Sequence, residues 1–307
     1  MLAGISTQIF YPHRLTPGHL DALAATGARV IEVFAARFHF DATDRQQLKD
    51  VAGWFRSNDV KAALHAPITS DERFSRHSYP NVNLVAGEKS RRIAAMDEVK
   101  RALEAAEQIE LATCVLHLGL SGDVWDDYAL EHALTGVEHL KAFAGPLGVK
   151  LLLENLRNEI ATPEHLLEIL RVGHFDSLGL CFDVGHAHLE GNLDAATLEL
   201  VRGRVAEVHL HDNHGQPQPG TPYPGDAGNP DSHLWPASGT ERPSGLGGGT
   251  IAWPEIYALL ATLPDETPGV LEIHDTQCAD LAFATKVGRE VFSHAARLMS
   301  IQYYPAE

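Results

Sequence analysis

Imidazole and carboxylate side chains recur in this chain at the ends of short apolar runs. Ala62-Ala63-Leu64 ends in His65, Cys114-Val115-Leu116 in His117, and Leu151-Leu152-Leu153 in Glu154. Leu180-Cys181-Phe182 ends in Asp183, with His186 three residues on; Val208 precedes His209, and Val270-Leu271 precede Glu272. A lone core histidine is usually structural. Many buried imidazoles and carboxylates together are costly unless they pair or bind a cation. Residues i and i+2 of a strand share a face, so His209 and His211 point the same way, as do Glu272 and His274. Asp183 and His186 can bring two ligands to one place, and Asp231-x-His233 is a similar pair. The donors are nitrogen and oxygen, which suits zinc, manganese, cobalt or iron better than calcium. Cys181 shares a strand face with Asp183 and is read as packing. The candidates outnumber the ligands of one ion, which implies two or three metals, or one metal with separate acid–base groups.

Such residues meet only if the strand ends meet. Runs of this length, bounded by polar or turn residues, read as buried strands. Strands are expected at residues 2–10, 29–34, 60–65, 113–118, 149–154, 178–183, 204–211 and 269–274. Helices are expected between them, at 16–26, 44–57, 86–109, 127–144, from 162, at 193–202, 253–263 and 279–299. Thr16-Pro17, Thr162-Pro163 and Trp253-Pro254 place proline where a helix favours it, in the first turn. Strict alternation of eight strands and eight helices argues for a (β/α)8 TIM barrel, a single domain over residues 1–307, rather than an open sheet. The active site of such a barrel lies at the C-terminal ends of its strands, where the candidates fall. Residues 212–250 break the rhythm with a Gly- and Pro-rich stretch that leaves strand seven on that face. A loop so long is often a binding loop or lid.

The 307 residues are 44% hydrophobic and 21% charged, enough for one large core. No apolar run approaches the roughly 18–20 residues of a membrane helix. Residues 1–10 lack a basic start and a long apolar stretch, so no signal peptide is read there. Cys114, Cys181 and Cys278 form no Cys-x-x-Cys pair and no disulfide framework, and a cytoplasmic location is expected. The formal net charge of −17 makes nucleic acid an unfavourable partner, and bound divalent cations would offset part of it. A homo-oligomer is compatible with this composition.

Several motifs resemble a known group. Gly4-Ile5-Ser6-Thr7, Leu64-His65-Ala66-Pro67, His117-Leu118-Gly119, Leu153-Glu154-Asn155 and Phe182-Asp183-Val184-Gly185-His186 are similar to the sugar phosphate isomerase/epimerase group. So are His209-Leu210-His211-Asp212-Asn213, Asp231-Ser232-His233-Leu234 and Gly249-Thr250-Ile251-Ala252-Trp253. That group belongs to the xylose isomerase-like TIM-barrel superfamily, which also contains endonuclease IV. The resemblance covers nearly the whole chain, and its strength lies in the joint order of the motifs. One departure is the stretch 235–246, inserted between the Asp-x-His pair and the Gly-rich turn.

The resemblance implies two site patterns. Similarity to the ketose 3-epimerases implies one metal on Glu154, Asp183, His209 and Glu272, with the two glutamates also moving protons at a substrate carbon. Similarity to endonuclease IV implies three zinc ions and adds His65, His117, His186, Asp231 and His233. Arg14, Glu32, Asn155, His188 and His211 are expected to contact substrate. The leading expectation is a divalent-metal-dependent sugar or sugar-phosphate isomerase/epimerase acting through an enediolate, with one to three zinc or manganese ions per chain and a small polyhydroxy substrate. The alternatives are a di- or trinuclear zinc phosphoesterase and a non-catalytic metal-binding barrel.

Overall fold

The computed structural model describes residues 1–75, 80–213, 215 and 249–273. Eight parallel strands close in sequence order: β1 (Leu2–Ser6), β2 (Val30–Phe34), β3 (Lys61–His65), β4 (Leu111–Leu116), β5 (Lys150–Glu154), β6 (Gly179–Asp183), β7 (Val205–Leu210) and β8 (Pro268–Leu271). The last strand returns to the first, with Val270 opposite Gly4. The expected TIM barrel is therefore the fold.

Helices run between the strands: α1 (Pro17–Ala24), α2 (Arg45–Ser57), α3 (Lys89–Leu103), α4 (Asp127–Ala144), α5 (Pro163–Val172), α6 (Val184–Glu190), α7 (Ala195–Val201) and α8 (Trp253–Leu260). Their starts follow from the sequence. Asp44, Asp126, Thr162 and Asp194 each accept a backbone N–H of the first turn, satisfying donors that the helix leaves open. Leu48, Val51, Ala52 and Phe55 recur at helical spacing and bury one face of α2 against the barrel.

Several boundaries differ from the sequence expectation; β4, for one, runs Leu111–Leu116 rather than 113–118. The first strand stops at Ser6, because the Ser6 Oγ accepts the Gln8 N–H and starts a short 3-10 helix, Thr7–Phe10. Its residues are buried and apolar enough to resemble more strand. The third helix begins at Lys89 rather than residue 86, and Arg92 takes the carbonyls of Ala86 and Gly87 at 2.7 and 2.9 Å. It ends at Leu103 and continues as a 3-10 helix, Glu104–Glu107. α6 was not expected at all. The helix expected at 279–299, most of the 212–250 stretch, and Asp231, His233 and His274 lie outside the described residues.

Inside the barrel, Val115, Leu152 and Cys181 form a small apolar cluster of their own. Leu152 and Cys181 precede Glu154 and Asp183 by two residues, so they share the interior face one step deeper. Cys181 is thus packing, as its neighbours suggest. This layer is the floor beneath the polar strand ends.

Candidate metal centre

The strand ends do converge. Register sets Asp183 beside His209 across β6 and β7, and Glu154 beside Cys181 across β5 and β6. Glu154, Asp183, His209 and Glu272 can each offer a ligand atom such that all four lie within 4.8 Å of one another. All four residues are buried. The His209 Nδ1 lies 3.1 Å from Glu154 Oε1, 3.1 Å from Glu272 Oε2 and 3.9 Å from Asp183 Oδ2.

Asp183 is prepared locally. Its Oδ1 caps α6 by accepting the His186 N–H at 2.6 Å, and His211 Nε2 approaches the same oxygen at 2.9 Å. Its Oδ2 is buried with no hydrogen-bond partner among the described residues. Gly185 makes the approach possible, since a Cβ there would fall within the His211 ring. Asn155 fixes the Asp183 backbone from β5, accepting its N–H at 2.8 Å and donating to its carbonyl at 2.9 Å.

A second group shares Glu154. His65, His117 and Glu154 also bring ligand atoms within 4.8 Å. The His117 Nε2 is 2.9 Å from Glu154 Oε2, and the His65 Nε2 is 3.5 Å from the same oxygen. The His65 Nδ1–H donates to the Ala66 carbonyl at 2.7 Å, which turns Nε2 toward the cluster. A third group joins Asp183, His186 and His211.

The electrostatics are those of a site built for positive charge. Burial works against the charged form of every group here. For His65 it is outweighed by the hydrogen bond to Glu154 and the charges of Glu32, Glu272 and Glu154, which push the imidazole up to about 9. For Glu154, burial is outweighed by His117 and His209, which hold the carboxyl well below its usual range. Glu272 is lowered in the same way, chiefly by His209. His209 is itself raised well above the ordinary imidazole value, against burial, by the carboxylates Glu32, Glu154 and Glu272 around it.

This donor set fits a divalent ion. Donors about 3–4 Å apart are what an ion held at ~2.1 Å from each imposes, and imidazole with carboxylate is a zinc- or manganese-type set. The unpartnered Asp183 Oδ2 is aimed into the same space.

The other expected site residues have these places. His211 sits against Asp183. His188, its pKa lowered by burial, bonds Thr250 Oγ1 through Nε2 at 2.8 Å. Arg14 pairs with Asp44 at 2.5 Å and donates to the Arg37 carbonyl at 2.7 Å. Asn155 spends its amide on the Asp183 backbone. Glu32 lies on the far side of His209, with Oε2 3.1 Å from Nε2, away from Glu154 and Glu272. Glu207 was not expected. It is fully buried, 3.8 Å from the same His209 nitrogen, and accepts the Thr113 hydroxyl at 2.8 Å. The alternation that pairs His209 with His211 also puts Glu207 on their face, and that signal could have found it.

A closed parallel barrel with imidazoles and carboxylates gathered at its C-terminal face defines a class of TIM barrels with a polar site at the strand ends. Within that class, the family model described as xylose isomerase-like TIM barrel matches residues 20–294, and the chain belongs to that family. The uncharacterized protein MJ1311 of Methanocaldococcus jannaschii is 25% identical over 225 residues, which is 70% of this chain and 72% of that protein. Among solved structures, a D-tagatose 3-epimerase-like protein superimposes with a TM-score of 0.69 at 21% identity, covering 99% of this chain and 100% of that one. The IolI protein with a bound zinc atom gives 0.70 at 16% identity over 100% of both chains. A 3-keto-D-glucoside 4-epimerase from E. coli gives 0.67 at 14% identity, covering 98% and 100%. At these identities the structures share the fold.

Proposed function

We propose that the protein is a divalent-metal-dependent isomerase or epimerase of a small sugar or sugar-like polyol. The observation that carries this reading is the four-ligand group of Glu154, Asp183, His209 and Glu272, in which two carboxylates face one imidazole nitrogen at 3.1 Å each. The epimerase names of several similar structures support the substrate class.

Asp183 and His209 would hold the ion with the two glutamates. A bound divalent ion would supply positive charge to a substrate oxygen as charge develops there. Glu154 and Glu272 would do the proton work. One carboxylate takes the proton from the carbon beside the substrate carbonyl, and the other returns a proton to that carbon. The neighbouring imidazoles keep both carboxylates ionised, the form in which a base must start. His211, on Asp183, and His188, at the rim beside Thr250, would orient substrate hydroxyls.

A second reading rests on the His65–His117–Glu154 group, which offers a place for a further ion sharing Glu154. Two or more ions would suit phosphoester hydrolysis, where they activate water and neutralise a developing charge. A panel of ketopentoses, ketohexoses and their phosphates, with zinc- or manganese-loaded protein, separates the readings. Epimer or aldose–ketose interconversion seen by NMR supports the first. Hydrolysis of a phosphodiester probe without sugar interconversion refutes it.

A further inference from the structure

Two buried carboxylates take no part in the proposed reaction. Glu32 on β2 and Glu207 on β7 are both fully buried in the barrel interior. His209 stands between them and the metal cluster. Its Nδ1 faces Glu154, Glu272 and Asp183, while its Nε2 faces Glu32 Oε2 at 3.1 Å and Glu207 Oε1 at 3.8 Å. A neutral imidazole carries one proton, and the nitrogen without it presents the lone pair that a metal needs. The hydrogen bond made by one nitrogen therefore decides which way the other is used.

We infer that Glu32 is the positioning residue of the metal centre: its carboxylate accepts the Nε2–H of His209, fixes the ring and its tautomer, and turns Nδ1 toward the cation. The inference rests on the metal-dependent reading above. Three features select Glu32. It is within hydrogen-bond reach of Nε2, and Glu207 is not. Glu207 already accepts the Thr113 hydroxyl through its other oxygen. Glu32 also comes from β2, which is not a neighbour of β7, so the contact crosses the barrel interior. It braces the ring from a second wall of the barrel, independently of its own strand. A carboxylate behind a metal-bound histidine fixes its orientation and makes it a stronger ligand.

The test uses metal-free protein titrated with cobalt(II) against a chromophoric chelator, with the d–d absorption recorded at saturation. Glu32→Gln keeps the shape and removes the carboxylate. It is expected to weaken cobalt binding roughly 10–100-fold, the usual cost of losing such a partner, and to alter the d–d bands. Glu207→Gln changes a carboxylate of the same layer and is expected to leave affinity and bands as in the wild type. Wild-type behaviour in Glu32→Gln overturns the inference. So does an equal loss in both variants, which would make the effect one of buried charge. A wild type that binds no cobalt overturns the metal reading itself, and that result is seen before any variant is compared. Should Glu32→Gln fail to fold, the zinc-loaded wild type gives the answer through long-range 1H–15N correlations. They are expected to show His209 protonated at Nε2 and metal-bound at Nδ1; zinc on Nε2 overturns the inference.

Discussion

Asn155 holds Asp183 by both of its backbone groups, accepting the N–H at 2.8 Å and donating to the carbonyl at 2.9 Å from the neighbouring strand. Asp183 thereby becomes the end of β6, the cap of α6 and a wall of the four-ligand group at once. Its side chain cannot swing without breaking a cap, and its backbone cannot shift without breaking a side-chain pair.

Asn155→Ala should therefore be costly beyond its volume. It leaves a buried N–H and carbonyl unpaired, and the expected loss of stability is about 2 kcal/mol or more. Chemical denaturation of the metal-free protein measures that loss. Metal affinity should fall with it, because Asp183 Oδ2 is no longer held in place. Asn155→Ala with wild-type stability and wild-type metal affinity would refute the positioning argument.

Removing a ligand of the four-residue group should remove the ion. Asp183→Ala and Glu272→Ala are each expected to purify without the tightest metal, as read by elemental analysis after dialysis. Added zinc should then no longer raise the melting temperature, since a ligand stabilises the fold only through binding to the native state. His117→Ala, by contrast, is expected to retain that ion under the single-metal reading. Loss of all metal in His117→Ala would favour the multinuclear reading.

The part of this site legible in the sequence was the part set by strand ends. His65, Glu154, Asp183, His209 and Glu272 were visible because apolar runs stop at them, and register then brings them together. Residues held by interior packing were harder to see. Glu32, in the middle of Val30–Phe34, is expected at the substrate, and only its distance from His209 reveals its place behind that ring. Glu207 carried the right alternation but stands away from any strand end. α6 is only seven residues long and starts directly on Asp183, leaving no gap in which a helix would be suspected. The 3-10 turn after β1 was hidden because Ile9 and Phe10 are as buried as any strand residue.

Acid should weaken the fold through a buried histidine outside the cluster. His39 is fully buried, donates from Nδ1 to the His13 carbonyl at 2.6 Å, and receives the Thr7 hydroxyl at Nε2 at 3.0 Å. Thr7 Oγ1 in turn accepts the Phe34 N–H at 2.9 Å. Burial lowers the His39 pKa to about 3 from 6.5. Folded His39 thus stays neutral where the unfolded chain takes up a proton. Its contribution is fully present above pH 6.5 and declines as pH falls from there toward 3. Denaturant unfolding at pH 7 and pH 5 should show a smaller drop in His39→Gln than in the wild type. Equal drops would exclude His39 as a source of acid sensitivity.

Asp212 should act as an anchor between distant stretches of chain. It accepts N–H groups from Asn213 at 2.8 Å, Gly249 at 2.9 Å and Ile251 at 3.2 Å, and the Trp253 indole at 2.9 Å. Gly249 has no room for a Cβ beside this carboxylate. Asp212→Ala strands several buried donors and should cost about 3 kcal/mol, given ~1–3 kcal/mol per unsatisfied group. A thermal melt within a degree or two of the wild type would show that the contacts are dispensable.

The most direct test of the central claim is solvent exchange at carbon. Metal-loaded protein is incubated in deuterium oxide with the ketopentose and ketohexose panel, and each recovered sugar is weighed by mass spectrometry. One carbon-bound deuterium is expected in the sugar that the protein converts, and none with Glu154→Gln, because an amide cannot take the proton. Interconversion without deuterium, or exchange that persists in Glu154→Gln and Glu272→Gln alike, would contradict proton transfer by these two carboxylates.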